Sequence, residues 1–588
     1  MAVENRLKGK TEMNRTWELA ISEAAKYNVI ADFVIDKTLP SFEIRSENCK
    51  VTIYAPTEIE LLYGVYSFAE EFLGWCFFAP GRDQYFPERA RLIPSDGVLI
   101  TAKKPLLKRI GFIQEFPFNS ETGDLFDWMA KNKFNYLLVW MKYYDELSDE
   151  LKQSALDRGV EIESGHHNFD YWIPGSEYFK EHPEFFAEIN GKRITPSGNS
   201  ELLMSEQLCT TNPELRNEIV RRMDEYCGKH PEIKTISLVP NDGFGWCECS
   251  ECSKFYDKKQ KGDTYSISKH VYKAGGIYHD MVKFISSQLK KVRNNVNLTF
   301  CAYVNYCAPS ENMRLEKGMT VHMAPYWHCI NHAMDDPECS INSSYLADIN
   351  KWCRVKNGGE VNVYEYYMGV NFYLSLPMIH WEKMFRDVRK YNEIGVDGVL
   401  TQFHIPHWSV YGMNYRMLGR AGRGEDEKKS ISQLMEDLFG NDAGAGEAFY
   451  REIEKAMQDM GKCHIPYPRS FLKRITPEKL ESFLDTAKTL FNKNPEENFR
   501  KELVVWCEYM VKFKKLFDRL SSGNAGISEI DRLLEWVHSH SDMRLFVLDR
   551  FDSYFEGMRE AVRNGTAWVH YNFDWEDAYI LEHDRTLQ

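Results

Sequence analysis

Between residues 105 and 420 short apolar runs alternate with amphipathic stretches, and this alternation limits the possible folds more than any other feature of the chain. Runs rich in β-branched and aromatic residues, bounded by turn formers, predict strands over 108–114, 136–141, 160–164, 235–239, 298–304, 320–324, 362–366 and 398–402. Helical spacing predicts helices between them, at 212–227, 274–292, 344–354 and 378–394. Eight strands with intervening helices fit an α/β chain built as a (β/α)8 TIM barrel with long insertions. A doubly wound open sheet is the alternative, but no glycine-rich phosphate turn follows any strand.

The flanks read differently. Residues 18–104 form a small α/β unit, with strands at 29–35 and 50–54 and a helix at 58–72 carrying Leu61, Leu62, Val65, Phe68 and Phe72 on one face. Gly74 stands where a C-cap glycine is expected, and the chain then enters a hairpin-like segment ending near residue 100. Residues 1–17 are polar and expected to fray. The barrel is expected to occupy 105–424. From 425 to 588 only helices are predicted, at 430–438, 446–460, 477–491, 499–519, 529–537 and 543–564, with an aromatic-rich 568–575 docking back onto the body.

At 588 residues the chain is too long for one core, and 43% hydrophobic with 27% charged residues is ordinary globular composition. A net charge of −14 without a Lys/Arg stripe excludes a nucleic-acid footprint and matches anionic lipid poorly. No apolar run approaches the roughly 20 residues of a membrane span. The first ten residues carry no apolar signal region, so a cytoplasmic location is expected, or a secreted one if a leader preceded them. The 14 cysteines are scattered and several sit in apolar strands or helices (Cys227, Cys301, Cys329, Cys353, Cys507), as reduced thiols do.

Residues just past the strands should converge on one barrel mouth. In order they are Glu115, Trp140, His166 with His167 and Asn168, Asn241 with Asp242, Tyr303 with Asn305, Tyr326 with Trp327 and His328, Tyr364 with Glu365 and Tyr366, and Gln402 with His404 and His407. Polar groups for hydroxyls and rings for sugar faces, recurring at eight strand ends, describe a carbohydrate site. Glycosidic cleavage needs one carboxyl to protonate the leaving oxygen and a second group to face the oxocarbenium-like centre. Asp242, in the turn Pro240-Asn241-Asp242-Gly243, and Glu365 are the expected catalytic pair. Alternatively the substrate's own 2-acetamido group attacks, and the neighbours Asn241 and Asp242 suit that route. Asn241, His166, His167, Trp140, Tyr303, Asn305, Trp327, Tyr366, Gln402 and His404 are expected to line the sugar pocket.

No HExxH or two-His-one-carboxylate spacing is present, so no catalytic metal or other cofactor is expected. Cys247, Cys249 and Cys252 form CxCxxC, and Cys209 lies one helix upstream. A structural zinc, packed free thiols and a disulfide all remain open for them.

Gly64-Val65-Tyr66-Ser67-Phe68, Leu73-Gly74-Trp75 and Phe78-Ala79-Pro80-Gly81 resemble the small N-terminal domain preceding the barrel of α-glucuronidases and hexosaminidases. The stretch from Tyr178 to Ala187, then Asn190-Gly191-Lys192-Arg193, Gln207 to Pro213, and Asn241-Asp242 with CxCxxC resemble a bacterial family long carried as a domain of unknown function. Some of its members are endo-β-N-acetylglucosaminidases of complex N-glycans. The resemblance implies a TIM-barrel glycoside hydrolase with a GlcNAc-containing oligosaccharide or glycan as partner. An α-glucuronidase-like enzyme is the second expectation, although Lys142 is the nearest cation at the strand ends, and a non-catalytic carbohydrate-binding barrel is the third. Barrel enzymes with helical tails often dimerise through the tail, so a homodimer is among the expected assemblies.

Overall fold

The computed structural model describes residues 15–194, 207–243, 245–255, 274–326, 328–329, 331–367, 374–458, 468–494 and 498–566. Eight parallel strands close into a barrel: Arg109–Gln114, Tyr136–Trp140, Glu161–Gly165, Thr235–Ser237, Asn297–Tyr303, Met319–Ala324, Glu360–Glu365 and Gly398–Gln402 (barrel strands one to eight). Strand eight pairs with strand one, Gly398 opposite Arg109 through Gln402 opposite Ile113, so no edge is left open. Every strand expected from the sequence is present. Strand four is shorter than expected, although Leu238 still donates its N–H to the Thr299 carbonyl at 2.9 Å.

Side chains alternate between the helix layer and the barrel axis. On strand one Phe112 stacks on Phe134 and Trp128 outside the barrel, which turns Gly111, Ile113 and the following Glu115 inward. Below the mouth the axis holds a polar layer. Glu163, fully buried, accepts from Tyr136 (2.6 Å) and Thr299 and lies 2.7 Å from His322. These partners satisfy a carboxylate that water cannot reach.

The N-terminal unit packs a four-stranded sheet, ordered Asp32–Ile35, Lys50–Ala55, Glu43–Glu47, Gly97–Thr101, against helix Glu58–Leu73. It has a core of its own around Ile44, Ile53, Leu61, Val65 and Tyr66. Thr57 caps the helix and Gly74 ends it in the left-handed region at φ 81, where a Cβ would meet the Phe86 carbonyl at 2.2 Å. Helix Arg15–Lys26 begins inside the segment expected to fray.

After strand eight the described residues are mainly helical. Glu427–Phe439, Ala443–Gln458, Pro468–Arg474, Pro477–Lys493, Asn498–Ser521, Ile527–His538 and Leu548–Asn564 share one continuous apolar core with the barrel. The last of these starts five residues later than its periodicity suggests, because residues 541–547 form a loop. The aromatic stretch 568–575 lies outside the described residues. Buried Arg416, on helix Trp408–Gly422, joins all three regions by pairing with Glu70 and with Asp437 at 3.0 Å. Among the described residues no helix is long and apolar enough to cross a membrane.

Candidate active site

Glu115 stands at the centre of the barrel mouth. Its Oε1 accepts from the Gln402 amide at 2.7 Å and the Tyr364 hydroxyl at 2.9 Å, with His166 Nε2 3.5 Å away. Burial pushes the carboxyl pKa up, but the hydrogen bonds from His166, Tyr364 and Gln402 outweigh it and hold the group below the usual carboxylate range. Glu115 is therefore an anion at neutral pH.

His166 is fixed from two sides. Its backbone is left-handed at φ 71, uncommon for a non-glycine residue, and its ring stacks on Trp140 at 4.4 Å. Burial lowers its pKa against the pull of Glu115, so the imidazole is neutral. The next residue, His167, turns Nδ1 onto the Pro240 carbonyl, which can only accept, so Nδ1 carries the proton. Tyr303, Tyr326, Tyr366 and Tyr364 continue the wall, with successive ring centroids 5.8, 5.1 and 5.0 Å apart.

Asp242 sits in a turn that other residues hold rigidly. Buried Gln207 accepts from the Asn241 N–H at 2.9 Å and donates to the carbonyls of Asn241 (2.6 Å) and Gly243 (3.2 Å), gripping the backbone on both sides of Asp242. Asn168 accepts from Val239 N–H at 2.8 Å and donates to the Ser237 carbonyl at 2.8 Å, which ties the third loop to the fourth. Asp242 itself is half-buried, and its charge bears on Tyr303 and His166. Asn241 accepts from the Asp170 N–H at 3.2 Å and so belongs to this framework.

The structure does not bring Glu365 to the mouth. Tyr364 points to the axis, so its neighbour Glu365 points into the helix layer, fully buried. There it accepts from Tyr391 and lies 3.5 Å from His328, with Lys383 and Asp387 alongside. Burial raises its pKa, Lys383 opposing. The parity was readable: Glu365 shares a face with the apolar Val361 and Val363, whereas Glu115 shares one with Gly111 and Ile113. Asn305 is also buried, its carbonyl accepting from Ala274 N–H at 2.9 Å. Gln402 and His404 do lie at the mouth, His404 with its ring 4.2 Å from Phe116. Trp327 lies outside the described residues.

Residues 108–445, more than half of the chain, match the family model described as Domain of unknown function (DUF4838). The chain belongs to the DUF4838 family. No curated protein sequence matches it. Several solved structures resemble this DUF4838 chain in fold. The family 89 glycoside hydrolase from Clostridium perfringens in complex with PUGNAc is 9% identical, with a TM-score of 0.54 over 96% of this chain and 76% of that one. The family GH115 4-O-methyl-α-glucuronidase BtGH115A, with specificity for decorated arabinogalactans, is 10% identical, with a TM-score of 0.52 over 95% and 76%. A GH138 enzyme targeting pectin rhamnogalacturonan II is 9% identical, with a TM-score of 0.53 over 90% and 72%. At these identities the likeness is one of fold.

Two clefts adjoin the mouth of the DUF4838 barrel. One of about 650 Å³ runs from Trp140 and His167 past Lys142, Asp170 and Tyr171. The other, about 600 Å³, lies between Phe116, His404 and the loop at 541–547, where apolar spacing predicts helix from 543 onward. It receives Arg550, whose guanidinium covers the Phe116 ring at 5.2 Å.

Proposed function

We propose that this DUF4838 protein is a glycoside hydrolase acting on a β-N-acetylglucosaminide within an oligosaccharide or N-glycan. The observation that carries the reading is the Glu115 carboxylate, held anionic by Tyr364, Gln402 and His166 in a mouth walled by Trp140, Tyr303, Tyr326 and Tyr366. The rings supply π-faces for sugar C–H surfaces, and the anion faces the positive charge that develops at C1. Asp242 accepts no hydrogen bond from the described residues. It is the group we assign to protonate the leaving glycosidic oxygen, or to orient a 2-acetamido group that attacks C1 itself. In this mechanism side chains and substrate carry the reaction without a catalytic metal. The GlcNAc assignment draws its support from the sequence motifs and from the suitability of Asp242 for an acetamido partner.

Two substitutions test the proposal, on a panel of chromogenic glycosides and free N-glycans. Glu115→Gln and Asp242→Asn each lower turnover by about 10²–10⁴-fold while the protein remains folded. Full activity in either variant removes that residue from the mechanism, and glycan binding without cleavage by the unmodified protein favours a binding barrel.

One observation favours a second reading, a hydrolase of uronic or other acidic sugars. Arg550 stands in the cleft beside the mouth, and among the described residues no carboxylate pairs with it. An Arg so placed is suited to a substrate carboxylate.

A further inference from the structure

Four thiols meet beside the turn that carries Asp242. Cys209, Cys247, Cys249 and Cys252 are all buried, and their sulfurs all lie within 4.8 Å of one another. Cys209 Sγ is 3.7 Å from Cys249 Sγ and 3.8 Å from Cys252 Sγ. A disulfide requires about 2.0 Å between sulfurs. A tetrahedron with zinc–sulfur bonds of about 2.3 Å has edges of about 3.8 Å, the separation of Cys209 from both Cys249 and Cys252. Thiols packed only as small hydrophobes have no cause to converge on one point from two segments some forty residues apart.

The surroundings also suit thiolates. The Glu188 N–H is directed at Cys247 Sγ (3.3 Å), as is the Arg193 guanidinium (3.5 Å), and the Thr211 hydroxyl meets Cys252 Sγ at 3.1 Å. Donors of this kind orient metal-bound sulfur and offset its negative charge.

We propose that Cys209, Cys247, Cys249 and Cys252 bind one zinc ion as a closed, structural tetrathiolate site. Four protein ligands leave no open position, so the ion takes no part in catalysis. Its work is mechanical. It fastens the segment beginning at Gln207 to the loop 247–252, and Gln207 is the residue that grips the backbone on both sides of Asp242. The zinc therefore sets the position of the Asp242 turn through two residues of chain and one amide.

A second group, Cys329, His332 and Cys339 in the loop after strand six, offers three donors among the described residues and serves as an internal control. Elemental analysis of the full-length protein, purified without chelator, is expected to give about one zinc per chain, falling at least about tenfold in Cys209→Ser and Cys252→Ser but not in Cys339→Ser. Where those variants do not fold, cobalt(II) exchange into the unmodified protein replaces them, and is expected to show the sulfur-to-metal charge-transfer and ligand-field bands of a tetrahedral tetrathiolate. Mercurial release of the zinc is expected to speed proteolytic cleavage between residues 241 and 255. None of these readouts depends on glycoside turnover. An unmodified protein that takes up neither zinc nor cobalt overturns the site, as does a Cys209→Ser variant that folds and retains its zinc.

Discussion

Glu115 and Glu365 both end a barrel strand, and one step of strand alternation separates their fates. Glu115 faces the axis and is held by three neighbours, whereas Glu365 faces the helices within a cluster of Lys383, Asp387 and Tyr391. The two therefore answer differently to mutation. Glu115→Gln lowers kcat at a small cost in stability. Glu365→Ala removes the buried acceptor of the Tyr391 hydroxyl in a site closed to water, while Lys383 keeps Asp387, and is expected to destabilise the fold by about 1–3 kcal/mol. Denaturant unfolding alongside kcat for the folded fraction separates the two effects; a Glu365 variant of normal stability and abolished turnover would reverse the assignment. Both acids were visible at strand ends in the sequence. What it concealed was the partner set, because Tyr364, Gln402 and His166 reach Glu115 from 51 to 287 residues away.

At the level of elements, the eight strands and most helices were legible because each is a local pattern of apolar spacing, and the Gly74 cap because one residue type is favoured there. Loop architecture was not legible. Gln207 lies in an irregular segment with no periodicity, yet its amide fixes the turn of strand four. Gln207→Leu, similar in size but unable to bond, removes all three hydrogen bonds from the side chain to the turn's backbone. It is expected to cut kcat about tenfold or more while KM changes little, since the acid is displaced and the aromatic wall is not. A rise in KM at constant kcat would place Gln207 on the binding side instead. Likewise residues 543–547 fall in a stretch of helical apolar spacing, yet they belong to the loop at 541–547 that closes the cleft holding Arg550. Arg550→Met is expected to lower kcat/KM on acidic glycans and spare neutral ones; equal effects on both would remove the second substrate reading.

Over the whole molecule, acid sensitivity follows from buried histidines. Burial lowers the pKa of His279, His328 and His380 to about 3, below the roughly 6.5 of an exposed imidazole. A group depressed in the folded state favours folding fully above its unfolded pKa, and that contribution drains away as pH falls from about 6.5 towards 3. Glu115, also depressed, adds to the loss below about 4.3. Unfolding near pH 5 should thus take up about three protons from these histidines, and the melting temperature should decline from pH 7 to 5, before most carboxylates titrate. A flat profile over that range would place the three rings in contact with water. The central claim is that the Glu115 mouth cleaves glycosidic bonds, and the most direct measurement is product analysis of an N-glycan and oligosaccharide panel digested by the unmodified protein and by Glu115→Gln. The expected result is release of a GlcNAc-terminated product by the first and at least a hundredfold less by the folded second; equal cleavage by both proteins would contradict it.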